Sequence, residues 1–144
     1  MRVSFFGSLG ATHCDERDLE WADLVAYLQN PPEYPSKQAC PLLKLGAFGN
    51  QISVKGSLRH DANVLYVSGV EGDHDAGLIQ PQDAAALLQN AGIAGIIYTT
   101  PSHTPPAPRW RVLAPLAQAY QPAARWELAA RLNHVFGGTL APES

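Results

Sequence analysis

The stretch NVLYVSGVEGDHD, residues 63–75, constrains this chain more than any other. Its apolar run, residues 64–70, reads as a buried strand that delivers Glu71, Asp73 and Asp75 at its carboxyl end. Side chains alternate faces along a strand, so Glu71 and Asp73 point the same way, roughly 6.6 Å apart at about 3.3 Å per residue. Two carboxylates that close repel, and ionising both is cheap only with a cation between them. That is the physics of a Mg²⁺ or Mn²⁺ site, which takes oxygen ligands at about 2.1 Å and leaves room for phosphate oxygens. The alternative reading is an acidic loop that caps a strand. A second polar cluster, residues 99–103, ends a later apolar run, and the two strand ends are expected to face one another.

The 144 residues are enough for one domain with a real core, and residues 1–144 are expected to form a single unit. The formal charge of −3 supplies no global basic field, so nucleic acid would have to be held by a local patch. Cys14 and Cys40 are too far apart for a metal knuckle and too few for a disulfide framework, so idle thiols in a reducing compartment are expected. The start, MRVSFFGSLGA, lacks the apolar core of a secretory signal, and no stretch reaches the ~20 apolar residues of a membrane span. A soluble, cytoplasmic protein with no membrane partner is the expectation.

Residues 2–6 read as a first strand closed by a turn at Gly7–Gly10, and Asp15 or Asp18 as the cap of a helix over about residues 19–29. Trp21, Leu24, Val25 and Leu28 give that helix one apolar stripe. A proline-rich loop follows, then two strands, residues 44–48 and 52–57, joined as a hairpin at Gly49-Asn50-Gln51. Lys55 and Arg59 make the first local concentration of positive charge. Pro81 suits the first turn of a helix ending near Asn90, with Ala84, Leu87, Leu88 and Ala91 inward and Gly92 as terminator. Residues 93–100 form a second apolar strand. Residues 109–114, RWRVLA, form a third, with Arg109 and Arg111 on one face, where both could reach a single phosphate. A last helix, about residues 122–136, points Leu128, Leu132, Val135 and Phe136 inward and stops at Gly137-Gly138. The acid-bearing strand and residues 93–100, joined by a helix, are expected to run parallel with a right-handed crossover. Residues 93–100 and 109–114 are expected to be antiparallel. The fold class is therefore α/β (α+β), a sheet of mixed direction with helices packed on it.

Acids for a divalent metal, His103 and two arginines for phosphates, and Lys55 and Arg59 as a positive rim together equip a metal-dependent phosphoryl or nucleotidyl transfer site. VEGDHD followed by IIYTTPSHTPPAPRWRVLAPL, with the earlier KGSLRHDANVLYVSGVEGD, resembles the archaeo-eukaryotic primase superfamily, in the branch found in phage and plasmid replication proteins. The resemblance covers roughly residues 21–144. It implies a primase-type catalytic core with an RRM-like sheet, acting as a DNA primase/polymerase-type nucleotidyltransferase in replication of a mobile element. Glu71 and Asp73 would bind the catalytic Mg²⁺ or Mn²⁺, with Asp75 as a further ligand. His103, beside Ser102, would contact the phosphates of the incoming nucleotide. Arg109 and Arg111 are assigned to phosphate on charge and position. Nucleoside triphosphates, a single-stranded DNA template and a replicative helicase domain are the implied partners.

Two departures from the superfamily pattern stand out. Glu71 occupies a position where Asp is commoner. The third acidic motif of the relatives has no counterpart here, since Glu127 is helical and Glu143 is next to last. Either the sequence is a piece cut short or its metal site is incomplete. Two competing readings follow: a metal-dependent nuclease using the same acids and His103, and a non-catalytic domain binding nucleic acid or a replication partner. For the latter, Tyr66, Tyr98 and Trp110 are candidate base-stacking aromatics, although each sits in an apolar strand and reads first as core.

Overall fold

The computed structural model describes residues 1–141. The fold is mixed α and β, with two antiparallel sheets and three helices. Chain contacts divide it into two compact units: Met1–Gly69 with Leu116–Ala123, and Val70–Pro115 with Ala124–Ser144. Among the described residues, no helix is long and apolar enough to cross a membrane.

The first unit is built on a strand order β2-β1-β3, with β1 at Arg2–Phe6, β2 at Asp15–Asp18 and β3 at Leu42–Lys44. The central β1 alternates into apolar surroundings on both sides, and Val3, Ser4, Phe5 and Phe6 are all buried. Helix α1, Trp21–Gln29, buries Leu24 and half-buries Trp21, Val25 and Leu28, the stripe expected from their spacing. Its predicted cap is wrong, because Asp15 and Asp18 lie in β2. Arg2 takes Asp18 at 2.9 Å and Glu16 at 3.4 Å, and Arg17 takes Asp15. The helix starts after Glu20, with no side chain bonded to its first turn. The charged strand DERD thus serves as a sheet edge, where charge discourages further pairing.

The expected strand 44–48 is split between sheets. Its first part is β3, and β4, Gly46–Phe48, pairs antiparallel with β5, Val64–His74. The change of sheet happens at buried Leu45, whose carbonyl accepts from the Ser68 and Gly69 amides. Gly46 permits it, since a Cβ there would lie 2.5 Å from the Tyr66 carbonyl oxygen. Residues 52–57 are not a strand and the hairpin does not form. Asn63 competes successfully for that backbone: its side chain accepts from Gln51 N at 3.0 Å and donates to Gly49 O at 3.0 Å and Leu58 O at 2.7 Å. Residues 53–57 close instead as a turn on Gly56, with Lys55 on its exposed side.

In the second unit, α2 spans Pro81–Asn90 as read from sequence, with Ala84 and Leu88 buried and Leu87 half-buried, while Ala91 is exposed. Gly92, at φ 67°, and Ile93 return hydrogen bonds to Gln89 and Leu88, closing the helix in a Schellman motif. That use of the Ile93 amide shortens the expected strand 93–100 to β6, Ile96–Thr99. Strand β7, Trp110–Tyr120, pairs with β6 antiparallel, as expected. The four-stranded order is β4-β5-β7-β6, so β7 lies between the acid-bearing strand and β6. β5 and β6 therefore run in the same direction, as expected, but β7 lies between them, so each neighbouring pair in the sheet is antiparallel and the sheet is not of mixed direction. A 3₁₀ turn at Pro122–Ala124 precedes α3, Arg125–Val135, which with the next residue buries Leu132 and Phe136 and half-buries Leu128 and Val135.

His74 is the pillar of this unit. It is fully buried and stacked on Trp110 at 4.6 Å, and its Nε2 accepts from the Leu78 and Ile79 amides. Trp110 donates to Ile79 O at 2.8 Å and packs against Phe136. Burial holds the His74 pKa below the usual imidazole value. Stability should therefore be fully present above the unfolded-state pKa of about 6.5 and decline below it, where the unfolded chain takes up the proton first. Urea midpoints from pH 8 to 5 should fall by at most about 1.4 kcal/mol per pH unit from this group, with a shallower slope in His74→Gln. Equal slopes would reject the assignment. In the first unit, Asn63→Ala should cost about 2–3 kcal/mol, read from the same denaturation curves, because it strands several loop backbone groups.

Candidate phosphate and metal site

The second half of β5 carries two chemistries on its two faces. Gly72 and His74 face the core: a Cβ on Gly72 would lie 2.6 Å from Leu140 Cδ1, and His74 is sealed in as described. Glu71 and Asp73 alternate with them, and Asp75 lies just beyond the strand end.

Arg111 meets this acidic face from β7. Its Nε and Nη2 donate to Oδ1 and Oδ2 of Asp73 at 2.5 and 2.6 Å, a bidentate fork with both side chains about three-quarters or more covered. Tyr98 of β6 stands opposite Arg111 in register, which completes a polar row across the strands. Burial opposes the Arg111 charge, but the bond to Asp73 and the fields of Tyr98, Asp73 and Glu71 outweigh it, so the guanidinium is held even more firmly protonated than usual. The Tyr98 phenol is raised, chiefly by burial; Arg111 pulls it down, and Asp73 and Glu71 push it further up. These couplings place Glu71, itself buried, in the same electrostatic cluster.

Arg109 precedes β7 and pairs with Asp75 at 3.5 Å, with both side chains about half exposed. Its backbone ties in the histidine loop. Arg109 N donates to His103 Nδ1 at 3.2 Å, Thr100 N donates to Arg109 O, and His103 N donates to Thr100 O. With Nδ1 accepting, the ring proton lies on Nε2. Ser102 is half-buried beside it. Two bonded groups, Asp73 with Arg111 and Asp75 with Arg109 and His103, therefore lie at the ends of β5 and β7. Lys55 and Arg59 belong to the first unit, and the site described here is built from the second. Glu127 pairs with Arg131 on the exposed side of α3, and Glu143 lies outside the described residues.

Sequence reasoning did not anticipate a cleft of about 240 Å³ lined by Glu71, Gly72, Arg125, Trp126, Asn133 and Leu140. Trp126 is 69% exposed at its edge. Residues 140 and 141 are tied to this unit: Asn133 Oδ1 accepts from Leu140 N, and Ala141 N donates to Asp73 O at 2.7 Å. An exposed Trp in a helix otherwise read for its inward stripe was the available signal. Trp110 is buried in the core rather than presented for stacking, while Tyr66 and Tyr98 are half-buried, Tyr98 opposite Arg111 in register.

Among the described residues, no group of three or more His, Cys, Asp or Glu is arranged to hold a metal. Mg²⁺, however, usually takes one or two protein carboxylates and fills its remaining positions with water and substrate phosphate. Glu71 and Asp73 supply two carboxylates, and both oxygens of Asp73 are engaged by the Arg111 guanidinium. Comparison with protein-family models, curated proteins and solved structures gave no match.

The two ion pairs should behave differently. Asp73→Ala leaves a largely covered guanidinium without its fork and should cost about 1–3 kcal/mol, whereas Asp75→Ala should stay within about 0.5 kcal/mol. Thermal or urea denaturation of the two variants checks this, and equal costs would contradict it.

Proposed function

We propose that this chain carries the nucleotide-binding core of a DNA primase/polymerase-type nucleotidyltransferase, joining nucleotides on a DNA template with Mg²⁺ or Mn²⁺. The observation that carries the reading is the pairing of Asp73 with Arg111 and of Asp75 with Arg109, the latter tied to the His103 loop, at adjoining strand ends. Glu71 and Asp73 would hold the cation, which supplies charge neutralisation of the triphosphate when bound. His103, whose Nδ1 accepts from Arg109 N, would donate from Nε2 to a phosphate oxygen, and its loop is braced by backbone bonds. Arg109, half-exposed and in a weak pair, is available to turn to phosphate. A replication role brings nucleoside triphosphates, single-stranded DNA and a replicative helicase domain as partners, in the cytoplasm.

One observation favours a second reading: both oxygens of Asp73 are engaged by Arg111. A non-catalytic domain that binds nucleic acid or a replication partner would keep that pair permanently.

Calorimetric titration of ATP and dATP, with Mn²⁺ and with EDTA, separates the two. Binding to the wild type should require Mn²⁺, disappear in Asp73→Ala, and weaken about tenfold or more in His103→Ala, which loses a hydrogen bond to a charged group. Circular dichroism establishes that the variants fold. Absence of nucleotide binding under either condition, with single-stranded DNA still bound, would select the second reading and end the first.

A further inference from the structure

We propose that the cleft between α3 and β5 holds one unpaired purine base of a single strand of nucleic acid, stacked on Trp126 with its amino edge turned to Glu71. The inference stands apart from the phosphate and metal reading, because neither Asp73 nor Arg111 lines this cleft. Its lining lies wholly within the second unit.

One wall is a second stripe on α3. Trp126, Ala129, Ala130 and Asn133 recur at i, i+3, i+4 and i+7, so they share a face of the helix, and that face is not the one that buries Leu132. The indole and the amide stand about 10 Å apart along the helix axis, with only methyl groups between them. From β5 come Gly72, which has no side chain, and Glu71. Short residues on both elements keep the space open. Its volume of about 240 Å³ falls below the roughly 300–1,000 Å³ of sites for drug-sized ligands. That admits one ring system and leaves a sugar and its phosphate outside.

The chemistry of the lining selects the ring. Trp126 is 69% exposed, so it offers an aromatic face that the core does not use. Bases stack on such faces, and a purine brings the larger surface. Asn133 Oδ1 accepts from Leu140 N at 2.9 Å, which fixes the amide and turns its Nδ2 donors to a ligand. Glu71 is 5% exposed, and a carboxylate accepts at several positions, so it can take an amino hydrogen beside the bonds it already makes. A hydrocarbon ring would leave these polar atoms facing an apolar surface, at a cost. The lining carries one acid and one base, Glu71 and Arg125, and so favours neither a lone cation nor a lone anion. A neutral ring with donors and acceptors on its edge meets all of these conditions. One ring held by a stack and two hydrogen bonds binds weakly by itself, so the base belongs to a strand whose other nucleotides add contacts outside the cleft.

The test titrates hexadeoxyadenylate into the full chain with EDTA present, so that no metal-dependent site contributes. Calorimetry gives the affinity and indole emission reports stacking. Wild type should bind with quenched emission. Trp126→Ala should bind about tenfold weaker, with Trp126→Phe between the two. Ala130→Leu keeps the indole and places a good helix former on an exposed position, yet it fills the cleft and should weaken binding about tenfold or more. Circular dichroism establishes that these variants fold. A hexamer of unsubstituted purine, which lacks the amino group, should bind wild type about fivefold weaker, the loss of one hydrogen bond. An abasic hexamer should not bind.

Ala130→Leu with wild-type affinity for hexadeoxyadenylate would overturn the assignment to this cleft. An abasic strand bound as tightly as hexadeoxyadenylate would overturn the base and reduce the contact to phosphate. Equal affinity for dAMP and the hexamer would overturn the strand as the source of the base. Wild type that binds no hexadeoxyadenylate would overturn the inference outright, and it would leave the Mn²⁺-dependent binding of ATP and dATP as a separate question.

Discussion

Two carboxylates two residues apart on one strand cannot both stay charged in a covered site without a positive partner, and that constraint shapes the second unit. β5 meets it with Arg111, placed on the neighbouring β7 so that its fork closes on Asp73 while its field reaches Glu71. The remaining alternate positions of β5 are Gly72 and His74, which belong to the core. One strand therefore carries a charged face and a structural face with no residue between them to spare. A shift of register by one would place the acids among Trp110, Val112 and Leu140 and expose the histidine, so the hydrophobic face sets the geometry of the charged one.

The same physics separates what could be read from the sequence and what could not. Elements with complete local signals were legible: β1, the α1 stripe, and α2 from its first-turn proline to the glycine that ends it. The strand DERD was not, because its stability comes from Arg2 and from Ser4 and Phe48, which share Glu16, all distant in sequence. The hairpin at Gly49 failed for a related reason. Asn63, which looks like the polar residue before a strand, spends its amide on three separate points of the preceding loop. Local turn chemistry predicted one pairing and a single buried side chain imposed another.

Within the site, alternation alone placed Glu71 with Asp73 and Arg109 with Arg111. Which acid meets which arginine depends on β7 lying beside β5, and neither sequence order nor the expected crossover through α2 specifies that neighbour. His74 was passed over because it sits inside an acidic run. Its flanking acids read as chemistry, whereas its own phase on the strand, shared with Gly72, assigns it to the interior. The lesson of that residue is that strand period outranks composition when a motif and a core share one element.

The outer and inner ion pairs then divide the work by exposure. Asp75 and Arg109 are both about half open to water at 3.5 Å, so solvent screens them and either can leave at little cost. Asp73 and Arg111 are mostly covered, so neither can part from the other unless a comparable partner arrives at the same moment. Both pairs join an aspartate to an arginine across the same two chain segments, so residue type does not separate them; burial does, and loss of one partner is therefore felt as lost stability at the inner pair and hardly at all at the outer one.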